Sequence, residues 1–181
     1  MKIRPWSEED IPGIRNVIWT TWLSAYSSFI PEKDLKVCFD EWYGEAALRN
    51  NLSDSLVEGS VAVEGENILA SMRCRWSPEE NRYFVGSLYV LPHAQNRGLG
   101  RLLMAHAAKS ASVRHQDRVW LGVMVQNVPA FEWYTKLGYT VSERQPFRMG
   151  ETTVEHYIGS IAVERLVKSG QSTKPQKPNH D

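Results

Sequence analysis

Cysteine is scarce in this sequence, and long apolar segments are missing. The 181 residues include two cysteines, Cys38 and Cys74, which have neither the spacing of metal ligands nor that of a disulfide framework. No apolar run approaches the roughly 20 residues that cross a bilayer, and the first residues contain no apolar signal core. We therefore expect one reduced, cytoplasmic domain without metal or membrane contact, in which both cysteines are small core residues.

The net charge is zero, since 21 basic residues balance 21 acidic ones, and the sequence has no basic run. This balance argues against nucleic acid as the main partner. The charges are nevertheless unevenly placed. Residues 1–80 hold 8 Lys and Arg against 14 Asp and Glu, a balance of −6, and residues 81–181 hold 13 against 7, a balance of +6. The basic half suits an anionic cofactor and the acidic half a cationic amine, although solvated surface charge produces similar imbalances.

Hydrophobic periodicity predicts strands and helices over residues 1–166. Strands are predicted at 2–4, 56–64, 68–75, 82–90, 118–125, 139–144 and 152–163, and helices at 7–27, 32–52, 98–113 and 129–137. From Lys168 onward the chain has no apolar residue to bury. We therefore predict a disordered C-terminal tail over residues 167–181.

A glycine-rich loop joins the predicted strand at 82–90 to the predicted helix at 98–113. Its residues run Gln95-Asn96-Arg97-Gly98-Leu99-Gly100-Arg101. The first N–H groups of the helix have no partner inside it, and together with the helix dipole and the two arginines they favour a phosphate. The loop has neither the Gly-Lys-Ser/Thr ending of a P-loop nor the G-x-G-x-x-G spacing of a dinucleotide fold. An ordinary helix start is the remaining alternative for these glycines.

A second motif follows the predicted strand at 118–125. It runs Asn127-Val128-Pro129-Ala130-Phe131-Glu132-Trp133-Tyr134-Thr135-Lys136-Leu137-Gly138-Tyr139. The Gln-x-x-Gly-x-Gly loop and this Asn-x-x-Ala-x-x-x-Tyr-x-x-x-Gly segment resemble the two signatures of the Gcn5-related N-acetyltransferases, the GNAT family, with Tyr139 in place of a final Phe. The order of predicted elements over residues 1–166 is also that of a GNAT domain.

The resemblance implies an α/β fold of the α+β type. Its central sheet would be mixed, mostly antiparallel and six- to seven-stranded, with about four flanking helices and with the fourth and fifth strands splayed apart. Gly86 and Ser87 interrupt the otherwise apolar fourth strand, so we place the accompanying β-bulge there.

The resemblance also implies acetyl-coenzyme A as co-substrate and direct transfer of acetyl to a primary amine in a ternary complex. Tyr134 matches the family's general acid, which protonates the departing sulfur. The residues implied in coenzyme A binding are Leu88, Tyr89, Val90, Gln95, Asn96, Arg97, Gly98, Leu99, Gly100, Arg101, Asn127 and Tyr134.

The sequence leaves the general base open. Many family members carry a glutamate on the fourth strand, but residues 83–88 hold no carboxylate. Glu79, Glu80, Tyr83 and His93 are candidates, and so is a chain of water molecules.

The acceptor is open as well. The family commonly walls its acceptor side with the first two helices and the loop between them, which places Trp22, Tyr26 and Phe29 there, and Tyr83 is added from the fourth strand. A small-molecule amine and a peptide N-terminus are both possible acceptors.

Two acidic residues bear on the charge of the acceptor. Glu32 and Asp34 lie near the predicted acceptor side and favour a polyamine or an amino sugar.

A homodimer is possible, because such domains commonly pair. The competing interpretations are a non-catalytic acyl-coenzyme A binding or regulatory module and a nucleotide-binding module unrelated to coenzyme A.

Overall fold

A seven-stranded sheet forms the centre of the protein. The computed structural model describes residues 1–171. The strands are β1 (Lys2–Pro5), β2 (Val57–Glu64), β3 (Asn67–Ser77), β4 (Arg82–Val90), β5 (Arg118–Met124), β6 (Thr140–Met149) and β7 (Thr152–Ala162). Their order is β1-β2-β3-β4-β5-β7-β6, and within residues 1–171 the β4–β5 pair is the only parallel one.

Helices cover both faces of the sheet. They are α1 (Ile11–Tyr26), α2 (Glu32–Tyr43), α3 (Glu45–Ser53), α4 (Leu99–Val113), α5 (Val128–Lys136) and α6 (Val163–Gln171). On one face, Ile14 of α1 and Phe39 of α2 share a core cluster with Val61 of β2. On the other, Leu103 of α4 shares a second cluster with Leu121 of β5. The predicted fold class is confirmed, with six helices over residues 1–171 instead of about four.

The two cysteines lie in these two clusters. Cys38 of α2 is in the first and Cys74 of β3 in the second, and both are buried free thiols. They are core residues, as their sequence context predicts. No helix of the described part of the chain is long and apolar enough to cross a membrane.

The predicted helix over residues 32–52 is in fact two helices. Gly44 separates α2 from α3 and has an extended backbone, with φ −60° and ψ 154°. The end of α2 is stabilised from α1, because Arg15 Nη1 donates to the carbonyl of Tyr43 at 2.6 Å. Gly44 then accepts the first hydrogen bond of α3, from Leu48 N–H at 3.0 Å. Hydrophobic periodicity alone did not reveal this break, although Gly44 stands in the sequence at that point.

The chain also continues into a helix where the disordered tail is predicted to begin. α6 spans Val163–Gln171, so the prediction is wrong for residues 167–171, and residues 172–181 of the predicted tail lie outside the described residues. Leu166 is fully buried, and Val163 and Val167 pack against the same core cluster. Their i, i+3, i+4 spacing is a helical signal that the sequence does contain.

The sheet opens between β4 and β5. These strands pair at three positions, from Tyr83 opposite Val119 to Val85 opposite Leu121. Beyond Val85, Gly86 is an extra residue in the ladder with β3, since Cys74 lies opposite Val85 and Arg73 lies opposite Ser87. The predicted bulge and splay are therefore confirmed. One edge of β4 is left without a strand partner.

Candidate active site

A cavity of about 500 Å³ fills the opening between β4 and β5. Two groups of residues line it. The loop side includes β4 residues 86–89 and Asn127, Ala130 and Tyr134 from the α5 region. Of the residues predicted to bind coenzyme A, Leu88, Tyr89, Asn127 and Tyr134 line the cavity, whereas Val90 and residues 95–101 do not. The start of α4 adjoins this side where Gly100 packs on Trp133 of α5. The aromatic side consists of Trp22, Tyr26, Trp42, Tyr43, Arg73, Phe147 and His156.

The glycine loop has the backbone conformation of an anion-binding turn. Asn96 and Gly98 have positive φ angles of 60° and 81°, which direct the chain into α4. The first intrahelical bond is Leu102 N–H to Gly98 O at 3.1 Å, so the N–H groups of the preceding first turn have no partner inside the helix. At Gly100, a Cβ would stand 2.8 Å from the Trp133 ring of α5. The start of α4 thus packs on α5 at a distance that only glycine allows.

Side chains of the loop fix it to the end of β4. Gln95 Nε2 donates to the Val90 carbonyl at 3.2 Å. Arg97 forms an exposed ion pair with Glu64 at 2.6 Å, so part of its charge is already balanced. Arg101 is half-buried in the first turn of α4.

The free edge of β4 presents backbone polar groups to the opening. The Val90 carbonyl accepts from Gln95 and from Thr21 Oγ1 at 3.4 Å, whereas the next N–H, that of Leu91, bonds to Leu69 on the β3 side. The polar groups of Val90 therefore point away from β3. Because alternate residues of a strand point the same way, those of Leu88 do too.

Tyr134 is the tyrosine that α5 directs into the cavity. Asn127 Oδ1 caps this helix by accepting from Ala130 N–H at 3.3 Å. Tyr134 is 9% exposed, and its hydroxyl has no hydrogen-bond partner within residues 1–171. Burial, and to a lesser degree Tyr26 and Tyr139, raise the pKa of Tyr134 above its usual value. Its hydroxyl therefore holds its proton at neutral pH.

Tyr139 explains the departure from Phe at the end of the second motif. Its hydroxyl donates to the Tyr157 carbonyl at 2.8 Å and lies 3.3 Å from the Leu121 carbonyl. These contacts tie the end of α5 to β5 and β7. Tyr139 therefore supports the position of Tyr134.

Aromatic rings from three elements form the opposite wall. Trp22 of α1 meets Tyr43 of α2 edge-on at 5.5 Å between centroids, and Trp42 of α2 lies 5.8 Å from Phe147 of β6. Burial and the neighbouring Tyr43 raise the pKa of Tyr26 to about 12. The predicted residues Trp22 and Tyr26 do line the cavity.

Two predicted acceptor-side residues lie elsewhere. Phe29 packs on Tyr26 at 5.9 Å and is not in the cavity lining. Tyr83 belongs to the core cluster on the opposite face of the sheet, is 1% exposed and donates to Glu58 at 2.9 Å. Alternation along β4 sends Tyr83 to that face, and burial raises its pKa well above the usual value. Tyr83 is therefore neither an acceptor contact nor a base.

The other predicted base candidates are also outside the cavity. Glu79 and Glu80 are exposed in the turn between β3 and β4, and His93 is exposed after β4. His156 of β7, which sequence reasoning missed, does line the cavity and stacks on Phe147 at 4.1 Å. Burial lowers the pKa of His156 to about 4, so the imidazole is neutral at pH 7.

The acidic residues near the first helices are also outside the cavity. Asp34 is 4% exposed and accepts from Thr152 Oγ1 at 2.6 Å and from Glu151 N–H at 3.2 Å, which fixes the turn between β6 and β7. These bonds hold the pKa of Asp34 below its usual range. Glu32 is exposed. Among the described residues, none that lines the cavity is a carboxylate.

The chain belongs to the acetyltransferase (GNAT) family, whose family model matches residues 14–139. Streptothricin acetyltransferase from Streptomyces lavendulae is 29% identical over 96 residues, which are 53% of this chain and 50% of that protein. An uncharacterized N-acetyltransferase of Mycobacterium bovis is 31% identical over 83 residues, which are 46% of this chain and 51% of that protein. The chain thus spans about half the length of these curated relatives.

Solved structures agree on the fold. PaiA N-acetyltransferase from Thermoplasma acidophilum, determined in complex with coenzyme A, superimposes with a TM-score of 0.77 at 20% identity. The match covers 89% of this chain and 98% of that one. At this identity the likeness establishes the fold.

Proposed function

We propose that this acetyltransferase moves acetyl from acetyl-coenzyme A to a primary amine within a ternary complex. The observation that carries the proposal is the position of the Tyr134 hydroxyl. It has no hydrogen-bond partner among residues 1–171 and faces the cavity that the unpaired edge of β4 opens. The coenzyme A complex of the similar PaiA structure supports the choice of donor.

The loop side fits coenzyme A on its own geometry. The free N–H groups at the start of α4 suit a pyrophosphate, and the left-handed Gly98 aims them at it. The absence of a Cβ at Gly100 keeps that helix start close to α5. The unpaired N–H groups of β4 at Leu88 and Val90 suit an extended pantetheine arm, which pairs as a strand would.

Three groups of the chain would act on the reacting atoms. Bound acetyl-coenzyme A supplies a thioester carbonyl as the electrophile. A backbone N–H on the free edge of β4, that of Leu88 or Val90, polarises its oxygen, and Tyr134 donates its proton to the departing sulfur. His156 lines the cavity and is unprotonated at pH 7, so it can accept the proton that the attacking amine loses. Because burial lowers its pKa to about 4, it is a weak acceptor, and we assign it a modest share of the rate beside a chain of water molecules.

The experiment is a free-thiol release assay with acetyl-coenzyme A and a panel of amines, run beside calorimetric titrations with acetyl-coenzyme A and with ATP. We expect release of coenzyme A with at least one amine, and binding of acetyl-coenzyme A in preference to ATP. Binding of acetyl-coenzyme A without release for any amine would support the non-catalytic module. Binding of ATP alone would contradict the proposed donor.

A further inference from the structure

Arg73 places an unbalanced positive charge in the aromatic side of the cavity. It lies in the middle of β3, beside the bulge of β4. Its guanidinium carbon is 5.3 Å from the Tyr43 ring centroid, and its Nη2 is 3.7 Å from where a Cβ at Gly86 would stand. The side chain is half-buried. Within residues 1–171 it forms no ion pair and no side-chain hydrogen bond.

The neighbouring Arg75 shows the usual alternative. Two residues further along the same face of β3, it is exposed and pairs with Asp54 at 2.8 Å. Arg73 is more buried and has no such carboxylate. A guanidinium stays charged at every physiological pH, and burying it without a counter-charge is unfavourable. The site around Arg73 therefore favours an anion.

The rest of the cavity does not cancel this charge. Its lining holds no Asp or Glu among the described residues, and His156 is neutral. Burial keeps Tyr26 and Tyr134 protonated. The lining therefore attracts an anion and disfavours a polycation, which reverses the expectation from Glu32 and Asp34.

Ser87 adds a second donor next to Arg73. The two residues lie opposite each other in the β3–β4 ladder, so their side chains stand on the same face. Ser87 is 8% exposed and lines the cavity, and within the described chain its hydroxyl has no hydrogen-bond partner. A guanidinium fork beside a hydroxyl matches the oxygens of a carboxylate.

We propose that the amine acceptor also carries a carboxylate, which Arg73 and Ser87 bind. The proposal rests on the proposed acetyl transfer and names the substrate class of the same site. One guanidinium balances one carboxylate. The rings of Trp22, Trp42 and Phe147 suit an apolar or aromatic body on the same molecule.

Matched pairs of amines test this directly. Thiol release is measured with L-tryptophan against L-tryptophanamide, L-phenylalanine against L-phenylalaninamide and β-alanine against O-phosphoethanolamine, with spermidine as a polycation. We expect kcat/KM for at least one amino acid to exceed that for its amide about tenfold or more. The amide has the less basic amine, and more of it is neutral, so ionisation of the nucleophile cannot produce this preference.

Variants assign the preference to Arg73. Arg73→Gln should lower kcat/KM for the acid at least tenfold and leave that for the amide within about twofold, while the KM of acetyl-coenzyme A stays unchanged. Arg73→Lys should recover part of the loss, and the matched control Arg75→Gln should change neither substrate. The same pairs are titrated onto protein saturated with coenzyme A, so the preference is also measured without turnover.

The outcomes separate the two proposals. The carboxylate site would be overturned if the amides, spermidine or O-phosphoethanolamine were bound and acetylated as well as the amino acids are. An acid preference that survives in Arg73→Gln, or no acid binding better than its amide, would overturn it too. Acetyl-coenzyme A that fails to bind at all would overturn the proposed function instead.

Discussion

The loop side and the aromatic side of the cavity are built from different parts of the polypeptide. The loop side presents backbone groups, which are the N–H groups of β4 and of the first turn of α4, positioned by Gly98 and Gly100. The aromatic side presents side chains from α1, α2, β3, β6 and β7, with Arg73 as its charged group. Backbone donors suit the proposed donor, acetyl-coenzyme A, which many proteins bind. Side chains suit the acceptor, which differs from one protein to another. The two sides should therefore respond to different substitutions.

The largest expected effect is at Tyr134, which belongs to the loop side. Tyr134→Phe removes the proton donor and should lower kcat about a hundredfold, with little change in either KM. Since burial raises the pKa of Tyr134, wild-type kcat should not decline between pH 7 and 9 through loss of this proton. Tyr139→Phe is the comparison, because it loses two hydroxyl contacts and about 1 kcal/mol of stability without removing the proton donor, so its loss of kcat should be much smaller. Equal kcat values in Tyr134→Phe and wild type would remove Tyr134 from the chemistry.

Gly100→Val should damage the loop side alone. Its side chain would overlap the Trp133 ring, since even a Cβ stands 2.8 Å away, and α4 would have to shift from α5. Overpacking of this size predicts a KM for acetyl-coenzyme A about tenfold to a hundredfold higher. Initial-rate kinetics over both substrates provide the measurement. A rise confined to the amine's KM would mean that the two sides are not separate.

His156→Gln should lower kcat about tenfold and leave the KM of acetyl-coenzyme A unchanged. Replacement by Gln keeps a polar side chain against Phe147 but removes the proton acceptor. An unchanged kcat in this variant would leave a water chain as the base.

His156 also predicts an acid-sensitive stability. Its folded pKa of about 4 lies below the unfolded value near 6.5, so between these values the unfolded state binds more protons. Stability that is complete above pH 6.5 is therefore lost as the pH falls toward 4, by about 2 kcal/mol at pH 5 from this group. Urea unfolding at pH 7.5 and pH 5 should show a smaller loss in His156→Gln than in wild type. Identical losses would show that the imidazole is not buried as described.

The smallest expected effect is at Asp34, which supports the aromatic side from outside the cavity. Asp34→Asn weakens the bonds to Thr152 and Glu151, so the β6–β7 turn that carries Phe147 and His156 should loosen. We expect a lower Tm and a severalfold higher KM for the amine, with acetyl-coenzyme A unaffected. A direct role of Asp34 in attracting a cation would instead lower the rate for spermidine alone.

Sequence reasoning reached the loop side because its signals are local. The glycines, the strand before them and the α5 motif each occupy one short stretch, and their order fixes where they meet. Gly86 and Ser87 likewise marked the bulge from within one strand. Tyr83 was also predicted on the acceptor side, but it lies on the other face of the sheet, because the extra residue Gly86 puts Tyr83 and Ser87 on opposite faces of β4.

Most of the aromatic side could not be predicted from the sequence, because its residues meet through pairings between distant parts of the chain. Arg73 meets Ser87 only through the register of β3 with β4, and His156 reaches the cavity from β7. Asp34 contacts Thr152, 118 residues further along the chain. No spacing in the sequence links such residues. α6 is the exception, because its apolar spacing was present and the polar residues after it obscured it.

The measurement that tests the central claim most directly is calorimetric titration of acetyl-coenzyme A onto wild type, Gly100→Val and Arg73→Gln. We expect one binding site per chain in wild type, an affinity at least tenfold weaker in Gly100→Val and an unchanged affinity in Arg73→Gln. Equal affinity in wild type and Gly100→Val, or a loss in Arg73→Gln, would contradict the assignment of the donor to the loop side.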